Sequence, residues 1–297
     1  MIKQKINGLD IGIYIVTLFF TLLCFYPFYY VFINTISDND LVVRGDVVLY
    51  PLGLQFRNYL EIFKINELPH AAFISVARTV VGTAFTLISS AFLGYCMTKH
   101  EYWYRKFWYR FIIITMYFNA GVIPWYLLMN SLRLTNNFFG YILPALVSPF
   151  NLILIKTYIE SIPISLEESA EIDGAGYIIR FTKITLPLAQ PIMATIAVFA
   201  AVGQWNSFMD TVYLMTDSRY FTLQFLLYKF LKETDQLANM MRSGAGVNAA
   251  AMVSAQQITP MGVHFTVTMV TLIPILLVYP FFQRYFVKGI MIGAVKG

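Results

Sequence analysis

Asp, Glu, Lys and Arg are absent from six long stretches of this chain: Ile11 to Ser37, Thr79 to Thr98, Phe111 to Leu132, Leu134 to Ile155, Ile184 to Met209, and Ser243 to Gln283. A helix needs about 20 apolar residues to cross a hydrocarbon core about 30 Å thick. The pattern therefore predicts six membrane-spanning helices, over 11–34, 71–97, 109–130, 138–159, 191–214 and 262–286. The apolar runs are continuous and do not alternate, which is the mark of a helical bundle and not of a β-barrel. The fold class read from this is all-α integral membrane.

Orientation follows from Lys and Arg in short loops, which favour the cytoplasmic side. The amino terminus carries Lys3 and Lys5, the loop after the second span Lys99, Arg105, Lys106 and Arg110, and the tail Arg284, Lys288 and Lys296. The short loop between the third and fourth spans has only Arg133. Both termini are thus expected in the cytoplasm, as is the loop over 161–190. The first apolar run is too long for a signal peptide and has no small-residue cleavage site after it, so it reads as a retained helix.

The domain organisation follows: 1–70 is one spanning helix plus an outer loop, 71–290 a five-helix core, and 291–297 a cytoplasmic tail. The outer loop of residues 35–69 reads as irregular chain with a short amphipathic helix near Arg57–Phe63. A second outer loop, 215–261, has an apolar-aromatic stretch from Tyr220 to Lys232, a break at Gly244-Ala245-Gly246, and small residues from Ala249 to Ala255. Loops of that length are usually functional or disordered.

The cytoplasmic loop 161–190 stands out because it is acidic where its neighbours are basic. Glu167, Glu168, Glu171 and Asp173 lie within seven residues. Ser165 and Glu168 have the spacing of a capping box, which predicts a helix starting at Ser165. Gly174 is placed to end it in a left-handed conformation, after about two and a half turns. Leu166, Ala170 and Asp173 fall on one side, Glu167 and Glu171 one turn apart on another. Ala170 is small enough for a close approach, and Pro187 and Pro191 re-aim the chain into the fifth span. Anionic headgroups would repel such a helix, so a basic protein surface is its expected partner.

Composition supports the membrane assignment: 58% of 297 residues are hydrophobic and 12% charged, with mean hydropathy +0.63, against about 25% charge in soluble domains. The net charge of +5 reflects the loop bias and gives no reason to invoke nucleic acid. Cys24 and Cys96 sit inside spans, so neither a disulfide nor a metal framework is implied. Tyr26, Tyr29 and Tyr30, then Tyr102, Trp103, Tyr104, Trp108 and Tyr109, fit interfacial aromatic belts, although such rings also stack on sugars. Asn119, Asn151, Gln204 and Asn206 lie within spans; such groups either hydrogen-bond between helices or line a solute path. Arg78 and Asp210 fall near predicted span ends, from which they can reach the interface, and His264 is a lone histidine near an outer boundary. No Gly-Lys dipeptide occurs anywhere, so the chain has no Walker A loop and no such route to ATP hydrolysis. HExxH, GxSxG and Cys/His metal sets are absent too, which argues against an intramembrane enzyme. A self-contained channel or ion-coupled carrier would be expected to show buried coupling acids or repeated halves, and the spans show neither.

Glu168-Ser169-Ala170, Gly174, Ile184, Leu186 and Pro187 match, with full spacing, the "EAA" signature of permease subunits in binding-protein-dependent ABC importers. Ser169 stands for the first alanine of that signature, one small residue for another. Ala170-Glu171-Ile172-Asp173-Gly174-Ala175 and the tail Arg284-Tyr285-Phe286-Val287-Lys288-Gly289 with Gly293 to Gly297 resemble the carbohydrate-uptake branch, in particular the second, six-helix permease of maltose-type systems. The resemblance covers the second to sixth spans and the tail. It implies a coupling helix docked in a cleft of an ABC ATPase dimer, with Glu168 near an arginine of that cleft and Ala170 and Gly174 allowing close fit. The surrounding Leu166, Glu167, Ser169, Glu171, Asp173, Ile184, Leu186 and Pro187 belong to the same docking segment, and Lys288 to Gly297 lie near the ATPase. It further implies a second homologous permease, an extracytoplasmic solute-binding protein at the outer loops, ATP and Mg²⁺ on the partner ATPase with no cofactor on this chain, and a multi-pass place in the bacterial cytoplasmic membrane. The expected solute is a carbohydrate, the alternative another solute of the same importer class. In maltose-type systems the sugar contacts fall mainly on the other permease.

Overall fold

The computed structural model describes residues 8–65, 67–242 and 259–294. Lys3, Lys5, the Gly244–Gly246 break, Ala249 to Ala255, and Val295 to Gly297 lie outside the described residues. All regular structure among the described residues is helical, with no strand. The chain divides into two compact units: one of 1–66 with 227–273, the other of 67–226 with 274–297. The boundary falls inside two helices, Leu223–Arg242 and Pro260–Ala294.

In the first unit, the Gly8–Thr35 helix is long and apolar enough to cross a membrane. Ile33, Val42, Val47 and Phe265 form its buried cluster. The hydroxyls of Tyr26 and Tyr29 donate to the carbonyls of Val48 and Leu49, so these two tyrosines tie the helix to the following loop. The expected amphipathic helix is present as Arg57–Ile62. Asn39 and Asn58 exchange carboxamide hydrogen bonds of 3.0 Å across that loop.

The second unit is built on the Glu67–Cys96 helix, which packs against Gln190–Asn206 and Pro149–Ile159. Small residues permit the approach: a Cβ on Gly94 would lie 2.9 Å from Ile155 Cγ2, and one on Gly82 would lie 2.7 Å from the Gln204 carboxamide. This is the packing membrane helices favour, because hydrocarbon gives apolar faces no reason to associate. Ala91, Tyr95, Ile155, Ile159 and Ile196 form one core, and Ile74, Met129, Tyr141, Ile142 and Leu214 the heart of another.

Among the described residues, three helices are long and apolar enough to span a membrane, or up to five if two bent pairs each count as one span. The continuous helices expected over 109–130, 138–159 and 191–214 are all interrupted. The first is two helices, Arg105–Thr115 and Val122–Ser131. Between them the Gly121 amide donates to Asn119 Oδ1 (2.8 Å) and Gly121 takes φ +85°, a turn that a run of apolar residues conceals. The second bends by 50° between Phe139–Ala145 and Pro149–Ile159. Pro144 and Pro149 lack the amides that would continue the ladder, and the bared carbonyls of Ala145 and Leu146 accept from Thr86 and Ser89. The third ends its helix at Asn206 and resumes at Met209–Leu214. Ahead of it, Tyr177–Leu188 meets Gln190–Asn206 at 80°, with Pro187 and Pro191 at the corner, and its Arg180–Thr185 turns are π-helical.

Candidate functional site: an acidic helix and a polar cavity

The acidic segment forms the Ser165–Ile172 helix. Its start is where the sequence places it, but the capping box does not form. The chain enters the helix already turning, with Ile164 in a helical conformation and no side chain capping the end. The Ile164 carbonyl takes the amides of Glu167 and Glu168, and the Pro163 carbonyl that of Leu166. The amide a Ser165 cap would need is therefore already satisfied, and Glu168 has no reason to fold back. The end is as expected. Gly174 adopts φ +82°, its amide donates to the Glu171 carbonyl, and the Ala175 amide donates to that of Ala170, both at 2.9 Å. These two bonds are the Schellman closure, which needs a left-handed residue at this point.

The inward face of this helix is a charge cluster. Lys99 Nζ donates to both carboxylate oxygens of Glu167, and the Tyr95 hydroxyl donates to one of them at 2.7 Å. Arg180 donates from Nη1 to Glu171 at 2.6 Å, while its Nε, which has no hydrogen-bond partner, faces Glu167 at 4.0 Å. Lys99 also lies over the Tyr95 ring and Arg180 over the Tyr177 ring. Burial opposes ionisation of Glu167, but the hydrogen bonds from Lys99 and Tyr95 and the charges of Lys99 and Arg180 outweigh it and hold the carboxyl below the usual carboxylate range. The outward face carries Glu168, Ser169, Ile172 (86% exposed) and Asp173. Glu168 has no partner among the described residues. Leu166, Gly174 and Pro187 are exposed as well, Ala170 and Ile184 are half-buried, and Leu186 packs on the core around Ile196. The two glutamates that adjoin in sequence thus point to opposite sides.

The second feature is a cavity of about 410 Å³ within the helical unit. Asn151 and Gln204 line it, with Trp125, Tyr141 and Phe199 as aromatic wall. Asn119 and Asn206 do not: the first holds the turn at Gly121, and the second accepts from Gln224 Nε2 at 3.2 Å. Arg78 and Asp210 do not reach an interface as the sequence suggests. They meet in the cavity wall as a forked ion pair, with Arg78 only 2% exposed. Arg78 Nε also donates to Gln204 Oε1 (3.2 Å) and Nη1 to the Ser207 carbonyl (3.1 Å), and the guanidinium lies 4.3 Å over the Tyr141 ring. The Tyr141 hydroxyl donates to the Tyr220 carbonyl at 2.6 Å and lies 3.1 Å from Thr211 Oγ1. One signal in the sequence points to the pair: two lone charges of opposite sign border two charge-free stretches. Lys99 borders a charge-free stretch as well but stands in a basic loop and not alone, and Tyr95 and Arg180 carry no such signal; the partners of all three are fixed only by the fold.

A helical membrane protein with a polar cavity among its helices and an acidic helix fastened from behind has the parts of a transport permease. Residues 87–292 match the family described as binding-protein-dependent transport system inner membrane component, and the chain belongs to that family. It is therefore a multi-pass membrane component of a transport system and not an enzyme subunit. It is 34% identical, over 97% of its length and 98% of the relative's, to the polygalacturonan/rhamnogalacturonan transport system permease protein YtcP of Bacillus subtilis. It is 33% identical to protein LplC of the same organism, over 91% of this chain and 89% of that one. The arabinooligosaccharides transport system permease protein AraQ of Halalkalibacterium halodurans is 27% identical over 88% of this chain and 86% of its own. Among solved structures, a chain of a bacterial ABC transporter involved in the import of the acidic polysaccharide alginate superposes with a TM-score of 0.81 at 30% identity, covering 96% of this chain and 99% of that chain.

Proposed function

We propose that this chain carries a carbohydrate, most simply an oligosaccharide, across the cytoplasmic membrane as one permease of an ATP-driven importer. Six spans place both termini in the cytoplasm. A second permease of like fold completes the pore, a separate ATPase pair binds ATP and Mg²⁺, and an extracytoplasmic protein delivers the solute. The observation that carries this reading is the Ser165–Ile172 helix: its inward acids are fastened to the bundle, and its outward acid, Glu168, is left free for a basic partner. The ATPase docks on Glu168, Ser169 and Asp173, with Ala170 and Gly174 keeping the profile low. Its closure moves the bundle as a rigid two-state body. The carbohydrate assignment is supported by relatives named for saccharide transport along nearly their whole length, and by a cavity in which amides face aromatic rings. Asn151 and Gln204 are the path residues of this reading.

The test is affinity purification of the chain from its native membrane in mild detergent, followed by uptake into vesicles. Recovery of an ATPase, a second permease and a solute-binding protein, with ATP-dependent saccharide uptake that Glu168→Lys abolishes without loss of inserted protein, is the expected result. Recovery of the chain alone, moving solute without ATP, sinks it.

A further inference from the structure

We infer that the cavity beside Arg78 and Asp210 is a sugar-ring subsite of this subunit, one that recognises an uncharged ring through its hydroxyls and not through charge. The inference rests on the carbohydrate reading above and adds to it a place and a selectivity.

The wall of the cavity separates committed from uncommitted groups. Arg78 is committed: Nε, Nη1 and Nη2 all donate, to Gln204, to the Ser207 carbonyl and to both oxygens of Asp210. Its charge is cancelled by Asp210 at contact, so an arriving carboxylate would meet a neutral pair and not a free cation. Burying an unpaired carboxylate at such a place is costly. The uncommitted groups are amides. Asn151 is 6% exposed; its backbone amide is taken by Ser148 Oγ, but its carboxamide has no partner among the described residues. Gln204 is 5% exposed, and only its Oε1 is used, leaving Nε2 with no partner among the described residues. Both carboxamides line the cavity, so these groups are open to a solute that enters it. Together the two carboxamides offer donors and an acceptor of no net charge, which is the complement of hydroxyls that both donate and accept.

Two more features show a shaped place and not a chance gap. At Gly82 the Gln204 carboxamide sits close against the neighbouring helix, and a Cβ there, 2.7 Å from it, would push that side chain to a new position. Trp125 and Phe199 supply aromatic lining beside the amides, whereas Tyr141, 1% exposed and with Arg78 over its ring, belongs to the closed wall. An apolar and aromatic lining with a few fixed polar groups is the usual make-up of a small-molecule site, and 410 Å³ is within the usual size.

The experiment uses the assembled permease–ATPase complex in lipid nanodiscs, without the solute-binding protein, whose own site would mask this one. Saturation-transfer NMR is run with arabinotriose and diacetylchitobiose as neutral probes and trigalacturonate as the acidic one. Ring protons of a neutral probe are expected to receive saturation from the wild-type complex. That signal should fall about five- to tenfold in Asn151→Leu and in Gln204→Leu, the loss expected for one neutral hydrogen bond. Trigalacturonate should give a weaker signal that neither variant changes. Signals unchanged in both variants, no signal from either neutral probe, or a stronger variant-sensitive signal from trigalacturonate each overturn the inference. If Asn151→Leu does not assemble, Asn151→Ala, which removes the same carboxamide without adding bulk, gives the same reading. Failure here with saccharide uptake intact in wild-type vesicles condemns the subsite alone, whereas absence of any saccharide uptake condemns the carbohydrate reading itself.

Discussion

Two charge clusters sit along one helix, Glu67–Cys96, one at Arg78 within it and one at Tyr95 and Lys99 at its end, and they are built differently. The Arg78–Asp210 pair is closed: one cation, one anion, and two neutral oxygens taking two further guanidinium protons. The cluster beneath the acidic helix is open: Lys99 and Arg180 share Glu167 and Glu171, one Arg180 nitrogen lacks a hydrogen bond, and Glu168 next door faces away without a partner. A closed pair has a single good arrangement, so it fixes helices. An open cluster has several arrangements of similar energy, so it can follow a moving partner while staying attached. Location agrees with this, the closed pair being deep in the helical unit and the open one on a loop.

Removing one member of the closed pair should have the largest effect. Asp210→Ala strands a buried guanidinium and is expected to cost about 3–5 kcal/mol, whereas the double change Arg78→Met with Asp210→Leu should restore most of it. Thermal unfolding of the purified complex measures both, and equal losses in the two would mean the pair is not a closed unit. Next comes Glu167→Gln, which keeps the shape and removes the charge. It should cost the loop about 1.5–3 kcal/mol, as hydrogen bonds to charged groups do, seen as faster hydrogen exchange over 168–174 and less solute moved per ATP. Glu168→Gln should leave that exchange unchanged, because its carboxylate holds nothing within the chain.

Acid should open the same cluster without mutation. The folded pKa of Glu167 is depressed, so its contribution is fully present above the unfolded value of about 4.3 and is lost as pH falls through the lower folded value. A nitroxide at position 172, on the exposed face, should keep one mobility from neutral pH down to the ordinary carboxylate range and become more mobile below it. Glu167→Gln should be mobile throughout, and a pH profile shared by both proteins would show that another group titrates. Gly174→Ala forces a side chain into the left-handed region and should cost about 1–2 kcal/mol, read as fraying of the Schellman closure. The smallest effect belongs to a pair outside both clusters: Glu61→Ala breaks the exposed contact with Lys64 and should change stability by about 0.5 kcal/mol or less.

What the sequence makes legible here is local. The start at Ser165 and the turn at Gly174 depend on residues within a few positions, and both are found where spacing puts them. The long apolar runs at 11–34 and 71–97 are likewise helices, because in hydrocarbon the backbone groups of an apolar stretch have no other partner. The breaks are harder to read. Asn119 and Gly121 look like two tolerable residues in an apolar run until the Asn119 side chain is seen taking the Gly121 amide. The capping box fails because the Ile164 carbonyl, one residue upstream, takes the amides of Glu167 and Glu168 first. Arg78 and Asp210 are separated by 132 positions, and nothing short of the fold says that they meet. The same holds for which of two adjacent glutamates faces the bundle, which rests on where Lys99 and Arg180 end up.

The bend between Phe139–Ala145 and Pro149–Ile159 has a consequence for how the protein is made. The two pieces are apolar enough to span only when taken together, and at the bend between them the carbonyls of Ala145 and Leu146 would be bare in lipid. The hydroxyls that cover them, on Thr86 and Ser89, lie 59 and 57 residues earlier in the chain. The broken segment therefore has its missing partners only once the earlier helix is already in the bilayer beside it.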